Sequence, residues 1–140
     1  CTKFQSNFTS GTNSVAQSAC KAAVEADPAS VKYMVDTFAS RREKMVGWIN
    51  EIPGFELDPP PGAFYVLPRV AELLGKKLNG QVLNTSLDLS MYLLEEGLVS
   101  TVPGYAFGLP GYIRFSYAAA EADLQEAVRR VKAAVAQLED

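Results

Sequence analysis

Tyr112-Ile113-Arg114-Phe115-Ser116-Tyr117 is aromatic and β-branched apart from one arginine and one serine. That composition predicts a strand. Side chains alternate across a strand, so Ile113, Phe115 and Tyr117 share one face and Tyr112, Arg114 and Ser116 the other. The first trio belongs in a core against a helix. The second sets a single guanidinium among hydroxyl groups on the opposite face. A guanidinium on a rigid strand can grip a carboxylate through two parallel hydrogen bonds. A site for an amino acid or a keto acid needs such a placement. Pairing with an Asp or Glu of the same protein is the commoner use of such an arginine, and strand position alone leaves both open.

Outward from this strand, turn signals divide the chain. Pro103-Gly104 precedes a loop, Tyr105–Gly111, rich in glycine and aromatics, and Leu98–Val102 reads as a strand entering that turn. Upstream, Leu87–Glu96 is a helix with caps available from Asn84 to Ser86 and Gly97 at its end. Val70–Leu74 is a short helix closed by Gly75. Ala63–Leu67 and Phe55–Leu57 read as strands on either side of the rigid turn Pro59-Pro60-Pro61-Gly62. Asp27-Pro28 starts a long helix. Its apolar residues Val31, Met34, Val35, Phe38, Met45, Val46 and Ile49 recur at three- and four-residue spacing. Asn13 or Ser14 caps a helix of small residues that runs to about Ala26. Thr2–Asn13 reads as a polar loop anchored by Phe4 and Phe8. A last amphipathic helix spans about Glu121 to Leu138. The order is long α, β, β, α, α, β, β, α, which predicts a layered α/β or α+β domain with helices packed on a sheet.

The bulk properties narrow the chemistry. The chain has 140 residues, 48% of them hydrophobic and 21% charged, which is a globular composition. A net charge of −3 gives no footprint for a nucleic-acid backbone or an anionic membrane. No apolar run is long enough to span a bilayer. Two cysteines do not make a disulfide framework and fit a reducing, cytoplasmic setting. With no histidine, Ser-His-Asp and Cys-His catalysis and the usual zinc sites are excluded within this chain. Glycine-rich phosphate loops are absent as well.

Several stretches together resemble one family. Residues 5–17, Gln-Ser-Asn-Phe-Thr-Ser-Gly-Thr-Asn-Ser-Val-Ala-Gln, resemble the segment that follows the cofactor lysine in fold-type I aminotransferases, enzymes dependent on pyridoxal phosphate (PLP). Pro61-Gly62-Ala63-Phe64-Tyr65 resembles their small-domain strand. Val102-Pro103-Gly104, Phe107-Gly108 and Ile113–Ala118 resemble their substrate-carboxylate motif. The pieces follow the family's order and approximate spacing over nearly the whole chain. The Gln-Ser-x-Phe-Thr-Ser-Gly stretch is most similar to the bacterial and plant-plastid subgroup of aspartate aminotransferases, some of which also act on prephenate.

The resemblance implies an α+β small domain, helices on a small mixed sheet, at residues 28–140, with the long helix linking it to the large domain. Residues 1–27 would be a C-terminal piece of that large, PLP-binding domain. It implies that Arg114 binds the substrate α-carboxylate and that Thr9 and Ser10 lie near the neighbouring subunit of a homodimer. Gly62, Phe64 and Phe107 would shape the pocket wall, with ordinary packing and turn geometry an equal alternative. Another subgroup brings an arginine across from the neighbour near Gln5; this sequence has Gln5 itself, so that role does not carry over. The cofactor lysine lies upstream in the family's order. The chain alone is therefore expected to hold no catalytic residue, bind no PLP and turn over no substrate, while the full-length parent moves an amino group between an amino acid and a 2-oxo acid. Ser18-Ala19-Cys20-Lys21 spells S-x-x-K, but it falls in an alanine-rich helix without companion motifs, so Lys21 reads as a solvent-facing residue. A free-standing amino-acid-binding or interaction module is the alternative of another class.

Overall fold

A computed structural model describes residues 1–139. The chain divides into two compact units, residues 1–34 and 35 onward, with the division inside one helix. The first unit holds helix α1 (Thr2–Phe8), helix α2 (Ser14–Glu25) and a 3-10 turn, Pro28–Val31. The side chain of Asn13 accepts from the backbone N–H groups of Val15 and Ala16 and so caps α2. Asp27 accepts from Ala29 N at 2.9 Å and caps the 3-10 turn, with Pro28 in its first position. The loop expected over Thr2–Asn13 is thus helical in its first half. Thr2–Phe8 contains neither Gly nor Pro, and Phe4 and Phe8 fall four residues apart on one side. These phenylalanines anchor nothing: they are 75% and 85% exposed. Neither α1 nor α2 buries a residue.

Helix α3 (Lys32–Asn50) follows the 3-10 turn. Of its apolar stripe, Met45 and Ile49 are buried and Phe38 packs partly against them, whereas Val31, Met34 and Val35 are exposed. The second unit closes around Met45 and Ile49. It contains strands β1 (Tyr65–Val66), β2 (Lys77–Leu78) and β3 (Gln81–Val82), helix α4 (Ser86–Glu95), strands β4 (Val102–Pro103) and β5 (Ile113–Ser116), and helix α5 (Glu121–Val135). The main sheet has the order β1-β5-β4, and both of its pairings are antiparallel. Helices on a small sheet are as expected. Both pairings are antiparallel rather than mixed; between β4 and β5 the connection is shorter than the dozen or more residues that a parallel crossover needs.

The alternation read at residues 112–117 holds. Ile113, Phe115 and Tyr117 are buried, Arg114 is half-buried and Ser116 is exposed. Val66 of β1, Leu89 and Leu93 of α4, and Leu124, Val131 and Val135 of α5 complete the core. Each large apolar side chain buried there stabilises the fold by about 1.5–3 kcal/mol. The Tyr92 hydroxyl donates to Ala134 O at 2.7 Å, fastening α4 to α5 with a buried polar group satisfied. Thr85 caps α4 in a capping box: its Oγ1 accepts from Asp88 N, and the Asp88 carboxylate accepts from Thr85 N.

Several expected strands shrink. Phe55–Leu57 keeps one bridge, Glu56 with Arg69. Ala63–Leu67 is reduced to β1, since Ala63 has φ 71° and cannot be extended. Leu98–Val102 is replaced by the shorter β4, since Leu98 has φ 53°. The helix expected at Val70–Leu74 is a 3-10 turn, Ala71–Leu73, and the last helix ends at Val135 rather than Leu138. A hairpin not expected from the sequence joins β2 to β3. Asn79 and Gly80 form its tip with φ 50° and 83°, the left-handed pair that a two-residue turn of this kind needs.

On α5, Glu126 accepts from Arg129 at 2.7 and 2.8 Å and from Arg130 at 2.8 Å. Those bonds hold its carboxyl at about 2, below the ordinary 4.5. A depressed carboxylate binds fewer protons folded than unfolded, so its contribution is fully present above about pH 4.5 and is lost as pH falls toward 2. We expect Glu126→Gln to flatten the fall of the urea midpoint between those pH values. Equal slopes in the two chains would rule this out. The pair is solvent-accessible, so added salt should shrink the difference.

Candidate functional site

Arg114 is placed by the register of the central strand. Tyr65 of β1 stands opposite Ser116, and Val102 of β4 stands opposite Arg114. Residues two apart on a strand share a face, so Tyr65, Ser116 and Arg114 emerge on the same side of the sheet, away from the core. The guanidinium carbon lies 5.2 Å from the centroid of the Tyr65 ring. It lies 4.6 Å from the Phe107 ring, which arrives from the 3-10 turn Gly104–Phe107 after β4. Its charge thus lies over two aromatic rings. Among the described residues no carboxylate pairs with Arg114; the ion pairs involve Arg69, Arg129, Arg130 and lysines. Arg69 is the contrast on the neighbouring bridge. It donates to Glu56 at 2.7 Å, and that bond raises its pKa further.

The turn that delivers Phe107 depends on a glycine. Gly104 N donates to Tyr112 O at 2.7 Å, and Gly104 O accepts from Leu109 N at 3.0 Å. A Cβ on Gly104 would collide with Leu109 O and would sit 2.6 Å from Tyr112 O. No side chain fits there, and the obstacles are backbone atoms that cannot step aside. The turn ends at Gly108, left-handed with φ 72°.

The other expected site residues are placed less closely. Phe107 reaches Arg114 directly. Phe64 meets the Tyr65 ring edge-on, with centroids 5.3 Å apart, and stands one ring removed from the arginine. Gly62 lies in the preceding loop with open space where a Cβ would be. Thr9 and Ser10 belong to the first unit, where both are exposed; Thr9 Oγ1 donates to Gln5 O at 2.9 Å and Ser10 has φ 55°. The sequence reading passed over Tyr65 as a site residue. Its signal was the alternation with Val66, which points inward and so turns Tyr65 outward.

Two grooves of the second unit lie elsewhere. One of about 390 Å³ is lined by Met45, Phe115, Leu124 and Glu126 among others, and another of about 480 Å³ by Asn50, Glu56, Arg69 and Tyr112. Neither includes Arg114 or its two rings, and neither carries a lysine. Lys21 lies on exposed α2, 3.9 Å from Glu25; Lys44 pairs with Glu121 and Lys132 with Glu51. Arg114 stands half-buried on the sheet face away from the core, where a guanidinium can hold one end of an anion.

Known proteins match this chain over nearly its whole length. The family model "Aminotransferase class I and II" matches residues 1–131. The chain belongs to the class I and II aminotransferases. It is 42% identical over 139 residues to an aspartate aminotransferase of Streptomyces avermitilis, covering 99% of this chain and 34% of that protein. A bifunctional aspartate aminotransferase and glutamate/aspartate-prephenate aminotransferase of Petunia hybrida is 41% identical, with 96% of this chain and 29% of that one covered. The crystal structure of an aspartate aminotransferase from Rhizobium meliloti superposes with a TM-score of 0.92 at 39% identity, covering 97% of this chain and 34% of the other. This aminotransferase chain spans about a third of the length of the relatives it matches, and it corresponds to their C-terminal part.

The Gly104 geometry makes a direct prediction. Gly104→Ala should lower the unfolding free energy by about 1–3 kcal/mol, the range for overpacking against fixed neighbours. It should also move Phe107 off Arg114, read as loss of the nuclear Overhauser contact between the two side chains. Wild-type stability with the contact intact would contradict the role given to this turn.

Proposed function

We propose that this chain is the carboxylate-binding part of an aspartate-type aminotransferase, and that Arg114 grips the substrate α-carboxylate. The observation behind the reading is an arginine on a central strand, lying over two aromatic rings, with no acid of its own among the described residues. The alternative use of Arg114, a structural ion pair, has no partner in the described residues to support it. In the parent enzyme PLP supplies the electron sink for amino-group transfer. Its lysine and phosphate site belong to the rest of the polypeptide. Arg114 orients the substrate so that its Cα–H faces the chemistry, and the Phe107 and Tyr65 rings keep the guanidinium plane fixed while it does so.

Residues 1–27 are, on this reading, a piece of the large PLP-binding domain. The support is that α1 and α2 bury nothing, while Phe4, Phe8, Val15 and Val24 stand exposed and lack a core. Thr9 and Ser10 face the neighbouring subunit of a homodimer, and residues 28–140 form the small domain with α3 as the link. No helix among the described residues is long and apolar enough to cross a membrane, and both cysteines are free and exposed. That cysteine state suits the reducing cytoplasm. The substrates are an amino acid and a 2-oxo acid, with aspartate and prephenate suggested by the names of the relatives.

Arg114→Lys in the full-length enzyme should raise KM, lower kcat and cut kcat/KM about a hundredfold, or ~2.7 kcal/mol. Lysine keeps the charge and loses the two-point grip. Kinetics equal to wild type would remove Arg114 from the site.

A further inference from the structure

The ring that lies against one side of Arg114 is carried by a loop with little means of holding itself. Residues 59–64 read Pro-Pro-Pro-Gly-Ala-Phe, and the three prolines have no N–H to donate. Ala63 adopts φ 71°, a left-handed conformation that costs an L-residue energy and persists only where neighbours enforce it. Strand β1, which begins at the next residue but one, is two residues long.

The restraint comes from outside the loop, through its carbonyl oxygens. Arg42 of α3 donates from Nη1 to Pro61 O at 3.0 Å. The Tyr117 hydroxyl donates to Ala63 O at 2.7 Å. Tyr117 N donates to Phe64 O at 2.9 Å, joined by Ser116 Oγ at 3.5 Å. Tyr117 is fixed in turn, since it is almost fully buried and its ring is tilted against Phe38 with centroids 6.1 Å apart. Burial raises the Tyr117 pKa, opposed by the nearby Arg42 charge, so the hydroxyl keeps its proton and stays a donor at neutral pH. Arg42 makes no ion pair among the described residues, which leaves the carbonyl as its anchor.

We propose that Tyr117 and Arg42 are positioning residues for Arg114: they grip the Pro61 and Ala63 carbonyls so that the chain enters β1 with the Tyr65 ring against the guanidinium. The value of this for substrate binding rests on the carboxylate reading of Arg114 above. Neither residue touches substrate. Each sets the direction of an arginine whose two-point grip depends on its plane.

The test uses this chain with labelled arginine side chains. In wild type, Overhauser contacts should link Arg114 to both the Tyr65 and the Phe107 rings. Tyr117→Phe keeps the buried ring and removes only the hydroxyl, and it should abolish the Tyr65 contact while the Phe107 contact remains. Arg42→Gln replaces no residue of the core, so it carries the test should Tyr117→Phe fail to fold; it should weaken the same contact selectively. Persistence of the Tyr65 contact at wild-type strength in the folded variants overturns the proposal. Succinate, titrated as a carboxylate probe, should shift the Arg114 Nε–H signal, with binding about tenfold weaker in Tyr117→Phe, the loss of one charge-assisted hydrogen bond. A wild-type chain that has the Tyr65 contact and no succinate response overturns the carboxylate reading and the functional half of this proposal, while the ring contacts still decide the positioning half.

Discussion

Strand β5 is paired on both edges, with β1 on one side and β4 on the other, and its alternation organises everything else in the second unit. Ile113, Phe115 and Tyr117 bind it to a core built from α3, α4 and α5. Slipping the register by one residue would put Arg114 into that core and expel three apolar side chains. The strand therefore cannot shift without losing several large burial contributions at once, each about 1.5–3 kcal/mol. That rigidity is what a binding arginine needs. The same residues that hold the domain together fix the height and direction from which Arg114 leaves the sheet.

The arginine's surroundings follow a second constraint. A cation without an acid partner is tolerated where it is partly open to water, and here its charge also lies over two aromatic rings. Each ring comes from a turn that the backbone could not make unaided. The Phe107 turn needs the space left by Gly104, and the Tyr65 loop holds Ala63 in a left-handed conformation. Local strain and close packing thus cluster around Arg114, the pattern expected where geometry matters more than stability.

Much of this was legible from residue types alone. The β5 alternation, the caps at Asn13, Asp27 and Thr85, and the buried face of α5 all follow from short-range rules that tertiary structure had no reason to override. The short strands were less legible. Ala63 and Leu98 are ordinary residues in left-handed conformations, and nothing local marks them as unable to extend. The hairpin at Asn79-Gly80 carried its own signal, an Asn-Gly pair, but its flanking strands are two residues each, too short for alternation to show. Tyr65 was missed because its role comes from a cross-strand neighbour. Phe4 and Phe8 read as anchors because large aromatics are usually buried; in this chain nothing covers them. The Arg114 reading rested on one of the several stretches that carry the family resemblance, and the comparisons support the family while leaving the arginine's role to experiment.

The most direct measurement is a crystal structure of the full-length enzyme containing this chain, with PLP and the dicarboxylate maleate bound. The account predicts one maleate carboxylate in a two-point contact with the Arg114 guanidinium, at about 2.7–2.9 Å, with the Phe107 and Tyr65 rings on its two faces. Maleate bound wholly through other residues, with Arg114 facing solvent, would contradict it.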